Sequence, residues 1–202
     1  MKNKFKGFCA TCRKEIEAGA GECNLVNGKW RVTCSTPCVA PVVAPKPILQ
    51  KEIGDLSGVM ALFDKAKSHL KFPKIELDVP AANIAIRISV AGAQSKQPGA
   101  LKVVDSNKKS NMGYAWFYGA VNVAGIWESK AKEGEAIGSR LVEFAANPAK
   151  VAAEYGKLHG RCCFCRLPLS DERSTAMGYG ATCAKNYGLP WGDKPQEFAG
   201  AA

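Results

Sequence analysis

Two periodicities divide the chain. Val59, Leu62, Phe63, Ala66 and Leu70 recur at intervals of three and four, so residues 57–70 read as an amphipathic helix. Ser57 is placed to cap its N-terminus, and Pro73 ends the pattern. From Lys74 the period falls to two. Ile75, Leu77 and Val79 alternate along one strand, and Ile84, Ile86, Ile88 and Val90 along the next. Residues 101–104 and 113–123 read as further strands, with Ala124-Gly125 turning the chain before Ile126-Trp127. Two stretches rich in turn residues, 91–99 and 105–111, separate them as loops. Helical spacing returns over 137–146. A second helix follows from Pro148, a residue suited to a first helical turn, to about Leu158. The pattern predicts a β-rich middle of about four to six strands with flanking helices.

Outside that middle the apolar pattern weakens and cysteine takes over. Eight of the nine cysteines form two clusters, and none lies between Val39 and Arg161. The first cluster is Cys9-x2-Cys12, then Cys34-x3-Cys38 after 21 intervening residues. The second is Cys162-Cys163-x-Cys165, closed by Cys183 after 17 more. Close thiols on a tight turn, answered about twenty residues later, are what a tetrahedral Zn2+ requires of a short chain. We therefore expect two zinc sites.

At the first site Cys9, Cys12, Cys34 and Cys38 supply four thiolates, a closed set with no position for a reactive water. Cys23 is spare and reads as a buried thiol. Asn27-Gly28, between Asn24-Leu25-Val26 and Lys29-Trp30-Arg31-Val32, is a type I′ hairpin signal. Such a hairpin carries the chain from one cysteine pair to the other, as in a zinc ribbon. At the second site Cys162, Cys165 and Cys183 are clear ligands. The fourth is open: His159 stands three residues before Cys162 but also suits a helix C-terminus. Cys163 adjoins Cys162, and neighbouring side chains diverge.

These boundaries give a zinc ribbon over 1–38 and an extended linker over 39–50, where Pro41, Pro45 and Pro47 preclude a helix. An α+β central domain follows over 51–158, and a treble-clef-like zinc knuckle with its tail over 159–202. The fold class is α+β.

The run Gly160-Arg-Cys162-x2-Cys165-x3-Leu169-x4-Ser174-x3-Gly178-x-Gly180-x2-Cys183 resembles a small cysteine domain of unknown function. That domain is common at the C-terminal end of bacteriophage and mobile-element proteins, some joined to helicase- or nuclease-like partners. The match covers residues 155–187. The first cluster, with Gly19-x-Gly21 and Trp30-x3-Cys34, is similar to short zinc ribbons found in the same company. The resemblance implies phage or plasmid origin and nucleic-acid metabolism, and supplies no catalytic residues.

Charge bears on partners. The net formal charge is +10, only partly offset by the thiolates of two zinc sites, and such a balance favours polyanions. Lys2, Lys4, Lys6, Arg13 and Lys14 make the first fourteen residues basic, with Phe5 and Phe8 among them. This is either a grip on phosphates or a solvated tail. In the middle, Tyr114, Trp116 and Tyr118 alternate with Ala115, Phe117 and Gly119 and would share one face of a strand, with Phe117 on the other, near Lys96, Lys102, Lys108 and Lys109. They form either a stacking platform for single-stranded nucleic acid or part of the core.

Signals for an enzyme are poor. With two histidines, no Walker loop and no nucleophile-base pattern, only a nuclease built from dispersed acids such as Asp55, Asp64, Glu76 and Asp78 stands against a non-catalytic reading. No apolar run approaches the length of a membrane span, and the N-terminal residues lack a signal-peptide stretch, so we expect a cytoplasmic protein with no membrane partner. The expected function is zinc-dependent binding of single-stranded DNA or RNA in phage replication, recombination or transcription control. The alternative is a protein-interaction module that docks on and inhibits a host replication or transcription enzyme.

Overall fold

Asn27 and Gly28 both take positive φ, 50° and 71°, as a type I′ turn demands. They join β3 (Gly21–Val26) to β4 (Lys29–Cys34) in register from Val26 opposite Lys29 to Gly21 opposite Cys34. A second short pair, β1 (Gly7–Phe8) with β2 (Glu15–Ile16), completes the smaller of two compact units, Met1–Lys46. Its buried interior is slight: Cys9, Ile16 and Asn3, closed by Gly21, where a Cβ would meet the Ile16 side chain at 2.8 Å. Asn3 bonds the Glu17 carbonyl and receives the Gly21 N–H, so the basic N-terminal residues are pinned to β3 rather than hanging as a tail.

The computed structural model describes residues 1–40 and 48–192. The linker prolines 41, 45 and 47, and the tail beyond Gly192, lie outside the described residues.

The second unit, Pro47–Ala202, is built on one six-stranded sheet. In chain order its elements are β5 (Leu49–Glu52), α1 (Ser57–Lys67), β6 (Ile75–Val79), a 3-10 turn (Pro80–Ala82), β7 (Ile84–Val90), β8 (Leu101–Lys109), β9 (Ala115–Val121) and β10 (Ile126–Ser129). The helices α2 (Gly134–Ala146), α3 (Pro148–His159), α4 (Glu172–Met177) and α5 (Ala181–Tyr187) follow. The five strands β6 to β10 meander in sequence order, and β5 adds itself antiparallel to β10 at the far edge. The class is α+β. Two expectations fail locally. The linker expected over 39–50 gives way to strand at residue 49, where β5 begins, because pairing with the distant β10 outweighs a sequence with no apolar alternation. Ser57 opens α1 but does not cap it; the Asp55 carboxylate accepts both the Ser57 N–H (2.8 Å) and its hydroxyl (2.6 Å).

The registers sort the sheet into two faces. Ile75, Ile88, Val103 and Gly119 lie in one row toward the helices, with Trp127, Val121 and Leu101 in the next. Trp127 is fully buried and donates its indole N–H to the Gly134 carbonyl of α2. Gly119 must be glycine, since a Cβ there would stand 2.7 Å from the Trp127 ring. The opposite face carries a row of Gln50, Glu128, Ala120, Lys102 and Ser89. Such alternation is expected of an antiparallel sheet with one buried face.

The C-terminal knuckle packs on the central domain and shares its core. Cys162, Cys163, Phe164, Tyr179, Cys183 and Tyr187 belong to the same buried cluster as Ile75, Phe63 and Val151. Phe164 stacks on Tyr187 at 3.9 Å between ring centres, and the Tyr187 hydroxyl bonds both the N–H and the carbonyl of Lys74. The N–H of Glu76 donates to the Cys163 carbonyl, occupying the outer edge of β6. No helix of the described residues is long and apolar enough to cross a membrane.

Candidate metal centres and basic faces

In the first unit the thiols of Cys9, Cys12, Cys34 and Cys38 all lie within 4.8 Å of one another. Cys9 Sγ is 3.7 Å from Cys38 Sγ, and Cys12 Sγ is 3.5 Å from Cys34 Sγ. With Zn–S bonds of about 2.3 Å, the edge of a tetrahedron is about 3.8 Å, so the spacing fits one ion at the centre. The local fold supports it. Arg13 takes a positive φ of 61°, which closes the Cys-x2-Cys turn and aims the N–H groups of Thr11 and Cys12 at Cys9 Sγ, each 3.4 Å away. Those N–H groups, Cys12 foremost, hold the Cys9 thiol down to about 5. The neighbouring thiols of Cys12 and Cys9 push Cys34 up to about 12. Four thiols this close cannot all ionise unless a cation balances them. Cys23 stands outside the group and is half-buried, not buried.

The second cluster has three members, Cys162, Cys165 and Cys183, again within 4.8 Å. Its thiolate of choice is Cys162, held at about 5 by the Cys183 thiol and then by the N–H groups of Cys165, Phe164 and Gly180, against the effect of burial. Cys183 is driven far upward by the same contact. Cys163 turns into the core, where burial raises its thiol well above the ordinary value. The candidate fourth ligand, His159, is engaged elsewhere. Its Nε2 lies 2.8 Å from a carboxylate oxygen of Asp78 and its ring packs on Tyr155. Gly160, with φ of 60°, turns the chain between His159 and Cys162, which leaves the imidazole beside β6. Among the described residues no fourth protein ligand joins the three thiols; they line a cleft of about 220 Å3 with Asp171, Ser174 and Thr182. Asp171 is engaged as the N-cap of α4, accepting the Ser174 N–H at 2.9 Å.

Gly178 and Gly156 serve packing. Gly178 caps α4 with φ of 79°, and a Cβ on it would come within 2.1 Å of the Ala153 carbonyl oxygen. A Cβ on Gly156 would come within 1.8 Å of the Gly178 carbonyl oxygen, so α3 meets the end of α4 backbone to backbone.

Residues 152–188 are similar to a family of unknown function, DUF6011. The DUF6011 segment runs from the middle of α3 through the three cysteines to the end of α5, and includes the 155–187 run picked out by its spacing. It assigns no activity. No curated protein and no solved structure matches the chain. Both cysteine groups could hold a metal ion, and the thiolate sets are compatible with zinc.

The expected nucleic-acid residues divide. Tyr114 is 72% exposed and Trp116 42%, but Tyr118 is 4% exposed and donates its hydroxyl to Asp105 at 2.7 Å. A bulge explains the split. Val103 pairs Gly119 while Val104 pairs Phe117, so Tyr118 is an extra residue in β9 and strict alternation breaks. Phe117, expected to lie opposite the platform, is exposed as well. Residues 105–109, read as loop, belong to β8, but the register shifts there. Burial raises the Asp105 carboxyl, and the N–H groups of Lys108 and Asn107 and the Tyr118 hydroxyl outweigh it, leaving it below its ordinary value. Lys108 Nζ lies 4.5 Å from the Trp116 ring centre, and Lys109 is exposed at the end of β8. Lys102 is exposed on the helix-free face. At the N-terminus Lys6 pairs with Glu15 and Glu17, and Lys2 donates to the Ser35 hydroxyl, while Phe5 and Phe8 are exposed.

The dispersed acids are each occupied. Asp55 holds the start of α1, Asp64 pairs Lys67, Asp78 pairs His159, and Glu76, fully buried, pairs Arg87 at 2.6 Å and accepts the Ser106 hydroxyl. What the sequence reading missed is a second basic stretch, Lys71-Phe72-Pro73-Lys74, between α1 and β6. An aromatic flanked by lysines at a proline-ended helix was the available signal.

Proposed function

We propose that this protein binds single-stranded nucleic acid, DNA or RNA, without transforming it, and that both cysteine clusters hold structural Zn2+. The supporting observation is the β8–β9 hairpin, which carries Tyr114, Trp116 and Phe117 exposed beside Lys108 and Lys109. Apolar rings without burial are costly to leave in water, and lysines beside them add attraction for phosphate, so a base stacked on Trp116 with its phosphate at Lys108 uses both. Lys108 stands over the Trp116 indole, which is 42% exposed. The cellular role we infer is replication, recombination or transcription control in a phage or mobile element, in the host cytoplasm. This rests on the resemblance of the C-terminal motif and the net charge.

The test is fluorescence anisotropy of the zinc-loaded protein with labelled single- and double-stranded oligonucleotides at two salt concentrations. Binding that prefers single strands, falls steeply with salt and weakens on Trp116→Ala in a folded variant is expected. Absence of binding at low salt overturns the reading. A salt-insensitive protein partner is the second reading, favoured by an apolar groove of about 390 Å3 that Ile48, Trp116 and Phe117 line.

A further inference from the structure

A cleft of about 810 Å3 lies between the α1–β6 connection, the end of β7 and the start of β8. Its walls include Lys67, Lys71, Lys74, Arg87 and Lys102, and none of the residues lining it is acidic. Two of these cations are already balanced, Lys67 by Asp64 and Arg87 by the buried Glu76. Lys71, Lys74 and Lys102 form no ion pair among the described residues. Three uncompensated positive charges converge on a concave site with low-dielectric walls, which concentrates the field on whatever enters. Phe72 stands at the same place, 79% exposed, with Lys71 Nζ 5.4 Å from its ring centre. Nothing in the core needs that ring. Cation and aromatic together present a phosphate and an apolar planar group with adjacent partners.

We propose that this cleft is a phosphate-binding site, and that the phosphates it takes are those of a nucleic-acid strand. The second half of the statement rests on the proposed function. The geometry favours a strand over a free nucleotide because Lys102 and Lys108 belong to one β-strand. Six residues apart at about 3.3 Å each, they stand at most about 20 Å from each other. The cleft therefore lies at one end of β8 and the aromatic hairpin at the other, with the helix-free row of Ser89, Lys102 and Ala120 at the cleft end. A single strand held at both ends spans a footprint in the range of about 4–16 nucleotides typical of small single-strand binding folds.

The experiment compares wild type, the triple variant Lys71→Ala/Lys74→Ala/Lys102→Ala and the separate variant Trp116→Ala. Each is zinc-loaded and checked by thermal melting. The probes are a fluorescein-labelled oligothymidylate and, as a free phosphate source, inorganic tripolyphosphate. Each phosphate neutralised on a single strand contributes about 0.7 to the slope of log K against log salt, so losing three contacts should lower the slope by about 2 and the affinity by about tenfold or more. That result, with tripolyphosphate competing against wild type, supports the site. An oligonucleotide affinity and salt slope unchanged in the triple variant but lowered in Trp116→Ala overturns the cleft and leaves the nucleic-acid reading standing. Tripolyphosphate binding that needs the three lysines, without any oligonucleotide binding, keeps the phosphate site and overturns the strand. If neither probe binds wild type, both fall.

Discussion

The two cysteine clusters are built by opposite means. The first has four thiols and almost no apolar interior around it: Phe5, Phe8, Leu25 and Trp30 of that unit are exposed, and among its described residues only Asn3, Cys9, Ile16 and Gly21 are well buried. The second has three thiols set into the wall of a large core that includes Phe164, Tyr179 and Tyr187. In the first case a bound metal would take the place of a core. In the second it would tie together segments that side-chain packing already holds. A unit as small as the first buries little apolar surface to offset the entropy of ordering its chain, and an ion held by its four thiols would make up the difference. The same motif chemistry therefore serves as foundation at one end of the chain and as fastening at the other.

The largest effect expected from this contrast follows removal of metal by a chelator. Zinc binding to small modules is worth about 10–16 kcal/mol, and in the first unit that is folding free energy. Limited proteolysis with mass spectrometry should find residues 1–38 cut rapidly while residues 48–192 stay protected and still melt cooperatively. Equal protection of both units after metal removal would erase the distinction.

A smaller effect separates the two interiors. Phe164→Ala in the zinc-loaded protein should destabilise the larger unit by about 3–5 kcal/mol, since it empties a stacked position between Tyr179 and Tyr187. Trp30→Ala, at an exposed strand position, should change stability by no more than about 0.5 kcal/mol. Denaturant melts followed by circular dichroism check both, and a large loss from Trp30→Ala would mean that the first unit has a core after all.

The smallest effect concerns the histidine. His159→Gln removes a partly exposed contact with Asp78, which should cost less than about 1 kcal/mol. Metal content by mass spectrometry should be unchanged. A lost equivalent of zinc would place His159 in the coordination sphere and make the second site closed like the first.

Most of the architecture was legible because it is written in short-range pattern. The periods of 3.6 and 2 and the turn signals located α1, α2, α3, β6, β7, β9 and β10 within a few residues, and the start of β8. Asn27-Gly28 announced its hairpin, and cysteine spacing announced which thiols converge. The failures share a cause. Tyr118 was assigned to a shared face by alternation, but one extra residue in β9 inverts it, and that bulge depends on how β8 pairs. Residues 49–52 carry no strand signal because their partner is supplied by β10.

Sequence by itself determined much of the local content of this protein: most of the helical and extended segments of the central sheet and its helices, which thiols can meet one ion, and the sign of its net charge. These depend on neighbours within about twenty residues, where spacing and backbone preference suffice. Tertiary structure alone decided which charges are already balanced, that His159 belongs to Asp78, that the C-terminal motif shares the main core, and that Lys71, Lys74 and Lys102 converge on one cleft. Those outcomes are set by competition among distant partners for burial and for hydrogen bonds, and no local pattern records which partner wins.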